Sequence, residues 1–509
     1  MKARFDRVLL PAAMGLFVVL GLVGILHHEM WRDELEIWLI ARDSDSLRHL
    51  FHNMRTEGHP ALWYLLVFAV SRLSSDPLSM QLLHLAIAST SVALILRHAP
   101  FPVWTRILLC FSYFVFYEYT IISRSYGLEF LLAFAFCTLY PRREERLPWL
   151  ALLLFAMANT NLYGALLAAS LGCCIAVEAW IARPRIQYRR PAEVALSLGL
   201  AAVGIAMGLG QIYWQSRQIG PAHAYHPEPS LEWFVLSLPA IEAAYLPLPN
   251  FRSAAFWNTN VFDALPPTWT LGTQSVLAVM LLVLSVWLLA SRRSVLVLFL
   301  LGFLSMFCVT LFVWFGQLRH HGHIFLLFVI ACWLQHYARD GEDRRRVLRE
   351  RSLTALLALQ VVAGGWAFVL DLRHPFSNAA ALGRLLQQEP WAEHVLVGSR
   401  DYAVQPIAAY VSRPIFYPES GKFGTFIDWG PGRRKTRAVE ALHAAVTLAR
   451  KDGKPVLLIL NLPPSQHAEM WRQLHRESDV YMRGVASFDG AIVPEEDYVV
   501  IEVFPTSTP

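Results

Sequence analysis

The sequence predicts a polytopic α-helical membrane protein that carries a smaller α/β domain at its C-terminal end. Of its 509 residues, 55% are hydrophobic and only 16% are charged, whereas soluble domains average roughly 25% charged residues. Apolar runs long enough to cross a bilayer recur as far as about residue 370. The composition beyond that point becomes that of a soluble domain.

The first apolar run extends from Val8 to Leu26. It is longer than the hydrophobic region of a signal peptide, and no small-residue cleavage site follows it, so we expect an uncleaved first span. Basic clusters such as Arg142-Arg143 and Arg292-Arg293 should lie on the cytoplasmic side. This rule predicts about eleven spans, at about 8–26, 78–97, 103–121, 125–140, 147–163, 164–182, 192–213, 271–290, 294–315, 322–338 and 352–370.

The apolar run at 61–73 cannot be a full span under this rule, because it would then place Arg97 outside. We therefore expect a juxtamembrane or re-entrant helix there, on the outer side. The N-terminus is then cytoplasmic, in a multi-pass protein of the cytoplasmic (inner) membrane. Residues 1–373 form the membrane module, with external loops at 27–77 (the first loop) and 214–270 (the long loop).

Residues 374–509 are predicted to form an external, or periplasmic, α/β domain, because strand and helix patterns alternate in them. Strands are expected at 394–398, 414–417, 456–460 and 498–504, and helices at 403–411, 437–450 and 465–477. The six cysteines of the chain all lie in apolar runs, so neither a disulfide framework nor a cysteine metal site is expected. The net charge of +5 is small for this length and gives no indication of nucleic-acid binding.

The first loop contains the adjacent acidic residues Asp33 and Glu34. Trp31, Trp38 and Trp63 flank them, and tryptophan favours the membrane–water interface. A partly desolvated carboxylate can act there as a general base, and its neighbour can position it or help to bind Mg²⁺ or Mn²⁺ through oxygen atoms. A solvated loop is the alternative interpretation, and a metal at Asp33 and a metal-free site both stay open.

Arg124, Tyr126 and Glu129 form a second polar group, at the outer end of a predicted span. An arginine at such a place either extends to the lipid headgroups or binds a phosphate through two hydrogen bonds. Glu129 lies within an apolar run, where a carboxylate is a functional candidate by default. It could pair with Arg124.

Arg319, His320 and His323 form a third group, at the outer mouth of two predicted spans. His321 adds a third histidine, but no carboxylate lies nearby in the sequence, so a zinc site is the less favoured interpretation. Arginine and histidine suit a phosphate or diphosphate leaving group, because they neutralise the charge of the departing phosphate.

Two further motifs are GHPALWY, from Gly58 to Tyr64, and IISRSY, which ends at Tyr126. Together with the acidic pair, these motifs resemble those of the GT-C superfamily of polyprenyl-phosphate-sugar-dependent glycosyltransferases. That superfamily includes protein O-mannosyltransferases and lipid A aminoarabinose transferases. Ala61 stands where the family has a second proline, and Ile122 stands where bacterial relatives have an acidic residue.

The resemblance implies that Asp33 is the catalytic base and Glu34 its partner. It also implies that Arg124 and Tyr126 line the donor site and that the His-Pro motif, with His59, belongs there too. Arg319 is placed at the donor phosphate by its position and charge. The family has the predicted fold, with an external α/β domain after the membrane helices.

The implied activity is that of a cell-envelope hexosyl- or pentosyltransferase. It would move a sugar from a polyprenyl-phosphate carrier, in contact with membrane lipids, to an acceptor glycan, lipid or protein at the external face. A transporter or flippase is one alternative, although transporters tend to have inverted repeats and broken helices at the midplane, which the sequence does not show. A non-catalytic scaffold with a glycosyltransferase-like fold is the other.

Overall fold

The computed structural model describes residues 2–181, 191–220, 230–338, 342–461, 464–477 and 480–505. As far as residue 373, the described chain folds into sixteen α-helices. They are α1 Lys2–His27, α2 Arg32–Arg42, α3 Leu47–Asn53, α4 Leu62–Ser71, α5 Leu78–His98, α6 Val103–Cys110, α7 Ser125–Leu139, α8 Leu147–Ala158, α9 Leu162–Ile181, α10 Pro191–Ser216, α11 Leu231–Ser237, α12 Pro239–Tyr245, α13 Pro267–Leu289, α14 Arg293–Phe312, α15 Leu318–Gln335 and α16 Arg346–Asp371.

Seven of the described helices are long and apolar enough to cross a membrane, namely α1, α5, α9, α10, α13, α14 and α16. The predicted class of helical membrane protein is therefore confirmed. The other predicted spans correspond to shorter helices or, at α15, to a helix that is buried over its whole length. The count of eleven spans stays a prediction. Part of the long loop, at 221–229, lies outside the described residues.

The predicted span at 103–121 is not one continuous helix. α6 ends at Cys110, and a π-helix follows at Tyr113–Ile121. Side-chain hydrogen bonds with a spacing of five residues accompany this wider helix: the Tyr113 hydroxyl donates to Glu118 at 3.0 Å, and the Thr120 hydroxyl donates to the Val115 carbonyl at 2.6 Å. All nine of its residues are buried, and it ends just before Arg124. Such segments occur frequently at functional sites.

The first loop contains three of the helices, α2, α3 and α4. α4 has ten residues and therefore rises about 15 Å, half of the roughly 30 Å hydrocarbon core. Its length agrees with the prediction that 61–73 does not span the membrane. α2 begins after Trp31 and carries Asp33 and Glu34 in its first turn, where negative charge stabilises a helix.

The C-terminal domain is the predicted α/β unit, with a sheet in the order β3-β2-β1-β4-β6-β5. β1 is parallel to β2 and β4, and the other pairs are antiparallel. Its strands and α-helices are α17 Ala379–Leu386, β1 Val395–Ser399, α18 Asp401–Val404, α19 Ile407–Val411, β2 Ile415–Tyr417, β3 Lys422–Gly424, α20 Ala438–Asp452, β4 Val456–Leu460, α21 Pro464–Glu477, β5 Met482–Phe488 and β6 Tyr498–Val503.

All four predicted strands are present, and sequence reasoning missed β3 and β5. β3 has only three residues, and β5 contains the exposed Arg483 and Gly484, which weaken a strand pattern. The helix predicted at 403–411 is instead two short helices, because Pro406 interrupts it. The domain boundary at 373 and 374 stays a prediction, although α16 ends at Asp371 and α17 begins at Ala379.

One hydrophobic cluster joins the first loop to the C-terminal domain. α2 contributes Leu35, Trp38 and Leu39, and the C-terminal domain contributes Leu382 and Ile407, all of them fully buried. Burying a large apolar side chain stabilises by about 1.5–3 kcal/mol. The first loop and the C-terminal domain therefore pack as one unit, and polar residues line the space that is left between them.

Candidate active site

A cavity of about 860 Å³ lies between the first loop, the turn before α7 and the C-terminal domain. Its volume is in the range of small-molecule sites, about 300–1,000 Å³. The first loop lines it with Arg32, Asp33, Glu36, Glu57, His59 and Tyr64. Arg124 enters it from the turn before α7, and the opposite wall includes Arg400, Tyr402, Glu419, Trp429, Arg433 and Lys435.

Asp33 is surrounded by three guanidinium groups. Its Oδ2 atom accepts a hydrogen bond from Nη2 of Arg319 at 2.9 Å and lies 3.7 Å from Nη1 of Arg124. Its Oδ1 atom lies 3.9 Å from Nε of Arg32. Burial opposes ionisation, but Arg124, Arg319 and Arg32 outweigh it and hold the pKa of the carboxyl group below its ordinary value. Asp33 is therefore ionised at neutral pH.

Arg124 and Arg319 form a guanidinium pair around Asp33. Arg124 also donates to the Asp33 carbonyl oxygen, and the Arg319 guanidinium lies 5.0 Å from the Trp31 ring and 5.2 Å from the Trp257 ring. The Nε atom of each arginine is buried without a hydrogen-bond partner among the described residues. Burying an unsatisfied donor costs about 1–3 kcal/mol. Two such donors on cations suit an anionic ligand.

Glu34 does not line the cavity, because its carboxylate is buried behind Asp33. Its Oε1 atom accepts from the Ser123 N–H at 2.6 Å, and its Oε2 atom lies 3.0 Å from Nε2 of His28. Nδ1 of His28 contacts Asp371 at 2.8 Å. Burial lowers the pKa of His28, but Asp371 and Glu34 outweigh it and raise the pKa to about 10. Glu34 thus ties the first loop to the residue before Arg124.

Replacing His28 with Ala should destabilise the protein by about 3–5 kcal/mol, because it leaves two buried carboxylates without their cation. The pKa of His28 in the folded state is about 10 and the model value is 6.5, so its stabilisation is complete below 6.5 and is lost as the pH rises through 10. Thermal unfolding in detergent, followed from pH 6 to 10.5, should show this loss in the parent protein only. The exposed neighbour His27 supplies the control, His27→Ala. An equal unfolding temperature for His28→Ala and the parent would contradict this assignment.

Glu129, His320 and His323 form a separate buried cluster that does not line the cavity. Oε2 of Glu129 lies 3.1 Å from Nε2 of His323 and accepts from Asn161 at 2.8 Å. Glu129 therefore pairs with His323 and not with Arg124 as predicted, because Arg124 precedes α7 and is held by Asp33 on the cavity side. The ring of Tyr126 packs between the two sites.

Tyr126 links this cluster to the cavity. Its ring centroid lies 5.1 Å from that of His323 and 5.9 Å from that of His320, and the Arg124 guanidinium lies 6.0 Å from the same ring. Nδ1 of His320 accepts from the Gln317 N–H at 2.9 Å, which fixes the first turn of α15 beside Arg319. Tyr126 and His320 therefore pack against the part of the structure that positions Arg124 and Arg319.

The turn at the Gly-His-Pro motif supplies two cavity residues, Glu57 and His59. Gly58 has a φ of +71°, a conformation that glycine adopts without strain, and Glu57 and His59 stand on either side of it. Burial and the Arg124 charge lower the pKa of His59 to about 4, so its ring is neutral. Its Nδ1 atom is buried without a partner among the described residues.

Glu36 and Glu57 were missed by sequence reasoning. Burial and the charge of Glu57 raise the pKa of Glu36 well above its ordinary value, and burial raises the pKa of Glu57 to about 7. The sequence contains a feature that could have identified each of these two glutamates. Glu36 follows Asp33 by three residues, which places it on the same helical face, and Glu57 lies directly before the Gly-His-Pro motif.

The C-terminal wall was also missed, because no motif marks it. The strap, residues 425–430, holds it against the first loop: the Ile427 N–H donates to Glu36 at 3.0 Å, and Asp428 forms an ion pair with Arg55. Arg400 has a φ of 54°, which costs a non-glycine residue roughly 1–3 kcal/mol. Such strain is found preferentially at functional sites.

A divalent cation at Asp33 stays a prediction that these residues do not favour. Three guanidinium groups already neutralise its carboxylate, and they would repel a metal ion. The part of the chain that the structure describes contains no group of three or more His, Cys, Asp or Glu residues arranged to hold a metal.

No family model and no curated protein matches this sequence. Among solved structures, the chain is similar to ArnT from Cupriavidus metallidurans bound to undecaprenyl phosphate, with a TM-score of 0.50 and 13% identity over 96% of this chain and 97% of that chain. The same protein in its apo state gives a TM-score of 0.49 and 14% identity over 99% and 98% of the two chains. The first similarity shows that the chain shares the fold of that protein over nearly its whole length, and the predicted fold is confirmed to that extent.

Proposed function

We propose that this GT-C-fold chain is a membrane glycosyltransferase that moves a sugar from a polyprenyl-phosphate carrier to an acceptor. The observation that carries the proposal is the guanidinium pair at Asp33, whose buried Nε donors have no hydrogen-bond partner among the described residues. Asp33 and Arg124 line the polar cavity, and Arg319 contacts Asp33 beside it. One solved protein with a similar fold, ArnT from Cupriavidus metallidurans, is bound to undecaprenyl phosphate, a lipid with the anionic group that such a pair would hold.

In this reaction Arg124 and Arg319 hold the phosphate of the carrier. As the acceptor oxygen or nitrogen bonds to the anomeric carbon, the bond from that carbon to the phosphate oxygen breaks, and the carrier leaves with the electron pair. Two cations at the departing phosphate stabilise the charge that it gains. A cavity carboxylate accepts the acceptor's proton, and the sequence predicts Asp33 for this role.

The cavity explains how the acceptor could approach. The C-terminal wall presents the aromatic rings of Tyr402 and Trp429 and the cations Arg400 and Lys435 to the same space as Asp33. Aromatic and polar side chains on a concave wall suit a carbohydrate. On the predicted topology, the cavity opens at the external face of the inner membrane.

Replacing Arg124 with Ala tests the proposal. It removes a charged hydrogen bond worth about 1.5–3 kcal/mol, so the Kd for undecaprenyl phosphate should rise roughly 10- to 150-fold. Binding of labelled undecaprenyl phosphate to the purified protein measures it. The matched control is Arg48→Ala, since Arg48 is an exposed arginine of the first loop, and its Kd should not change.

An unchanged Kd in Arg124→Ala would remove the donor site from this cavity. The activity itself is measured with undecaprenyl-phosphate-linked hexoses and pentoses, with a total lipid extract as the acceptor. Release of undecaprenyl phosphate together with a labelled product supports a transferase, whereas movement of an intact donor across vesicles would support a flippase.

A further inference from the structure

Two carboxylates of the first loop line the same cavity in opposite electrostatic settings. Asp33 has guanidinium groups within 4 Å of both carboxylate oxygens. Among the described residues, Glu57 accepts one side-chain hydrogen bond, from the Tyr64 hydroxyl to Oε2 at 3.1 Å. Its other oxygen, Oε1, is buried without a hydrogen-bond partner among the described residues. When the environments of two titratable groups differ in this way, the groups usually have different roles in proton transfer.

We propose that Glu57, and not Asp33, accepts the acceptor's proton, and that Asp33 organises the guanidinium pair. This assignment rests on the proposed function and names the proton acceptor within it. The acceptor's O–H or N–H bond breaks as its oxygen or nitrogen bonds to the anomeric carbon. The proton ends on Oε1 of Glu57, and the electron pair of the broken sugar–phosphate bond stays with the phosphate.

The position of Asp33 argues against a proton-accepting role. A proton that reaches its carboxylate must displace interactions with Arg319 at 2.9 Å and Arg124 at 3.7 Å. Those cations lower its pKa, and a carboxylate with a low pKa is a weak base. The same contacts make Asp33 suited to another task, because they hold two positive groups together at one place.

The position of Glu57 favours the role. The chain turns at Gly58, which follows Glu57, and Glu57 and His59 both line the cavity as a result. Burial raises the pKa of Glu57 to about 7, against the effects of the Tyr64 hydrogen bond and the Arg124 charge. A base works best when its pKa lies near the working pH. The titratable and charged groups that face it are Tyr64 from α4, Arg124 from the turn before α7, Asp33 and Glu36 from α2, and Asp428 from the strap.

Glu57→Gln is the direct test, with undecaprenyl-phosphate-linked hexoses and pentoses as donors. The rate of transfer, kcat, should fall about 10²- to 10⁴-fold, the contribution typical of a general base. The Kd for undecaprenyl phosphate should stay within twofold of the parent value, which also shows that the variant is folded. Asp45→Asn is the control, because Asp45 lies on the same loop with a side chain that is 94% exposed.

The pH profile separates a proton acceptor from a structural residue. In the parent protein, kcat/KM should rise as the pH increases through about 7, because the ionised carboxylate is the base. The Tyr64 hydrogen bond lowers the pKa of Glu57, so Tyr64→Phe should move this rise to a higher pH. Asp33→Asn should keep the rise in its residual activity, and Glu57→Gln should lose it.

The outcomes distinguish this assignment from the proposed function. Suppose that Glu57→Gln keeps the parent kcat and pH profile and that Asp33→Asn loses the pH-dependent rise. This result would overturn the assignment of Glu57 and identify Asp33 as the base, and the proposed glycosyltransferase function would be unaffected. A parent protein that neither binds undecaprenyl phosphate nor transfers any sugar would overturn the function and, with it, the assignment.

Discussion

Asp33→Asn should lower the rate of sugar transfer by about 10²- to 10⁴-fold, a loss typical of removing a catalytic acid–base group or an electrostatic stabiliser. The loss is expected whether Asp33 accepts the proton or only organises the two arginines. The amide cannot neutralise Arg124 and Arg319, which lie within 4 Å of the carboxylate, so the two groups are no longer held where they stabilise the departing phosphate in the transition state.

Binding should respond differently from the rate. The Asp33 carboxylate competes with a carrier phosphate for the same guanidinium groups, so the neutral amide should leave the Kd for undecaprenyl phosphate unchanged or lower it. Single-turnover transfer and equilibrium binding, measured on the same preparation, give the two quantities. A variant that binds the carrier more weakly and transfers at the parent rate would contradict both expectations.

Arg319→Ala should have the second largest effect, because the side chain has two functions at once. It donates to Asp33 at 2.9 Å, and its guanidinium group contacts the rings of both Trp31 and Trp257. Loss of its hydrogen bond to the carrier phosphate, worth about 1.5–3 kcal/mol for a charged group, corresponds to a rise in Kd of roughly 10- to 150-fold. Loss of its cation–π contacts, worth about 0.5–2 kcal/mol, should in addition lower the free energy of unfolding. The exposed Arg344 supplies the control, Arg344→Ala.

Arg319→Lys refines this expectation. Lysine keeps the charge but has a single compact ammonium group in place of the planar fork, and it stacks less well on aromatic rings. Its Kd for undecaprenyl phosphate should lie between those of the parent and Arg319→Ala. Removal of Arg319 also removes one of the cations that hold down the pKa of Asp33, so that pKa should rise. If Arg319→Ala binds the carrier as the parent does, Arg319 has no part in the donor site.

The helical membrane class and most of the C-terminal strands could be predicted, because apolar runs and alternating patterns are local signals. The break in the predicted span at 103–121 could not be predicted, because the aromatic residues of the π-helix are as apolar as those of a continuous membrane span. Its departure from an α-helix depends on tertiary partners such as Trp257, which donates to Glu118 at 3.0 Å. β3 was not predicted because it has only three residues, too few to show an alternating pattern.

The candidate site also has a part that the sequence predicts and a part that it does not. The motif residues Asp33, Arg124 and His59 line the cavity, and Arg319 meets Asp33 from a helix that begins at Leu318. Their common side of the membrane was predictable, but their distances were not. The C-terminal wall was beyond sequence reasoning, because Arg400 and Trp429 belong to no recognisable motif and reach the cavity only through the packing of two separate modules.

The long separation of these partners in the chain has a consequence for biosynthesis. Asp33 leaves the ribosome 286 residues before Arg319, and Glu36 leaves it 391 residues before its partner Ile427. Domains generally fold in the order of their synthesis, but the first loop cannot complete its ion pairs until α15 is inserted and the strap has been made. Until then its carboxylates must stay hydrated, so the nascent protein matures only when almost its whole length has been translated.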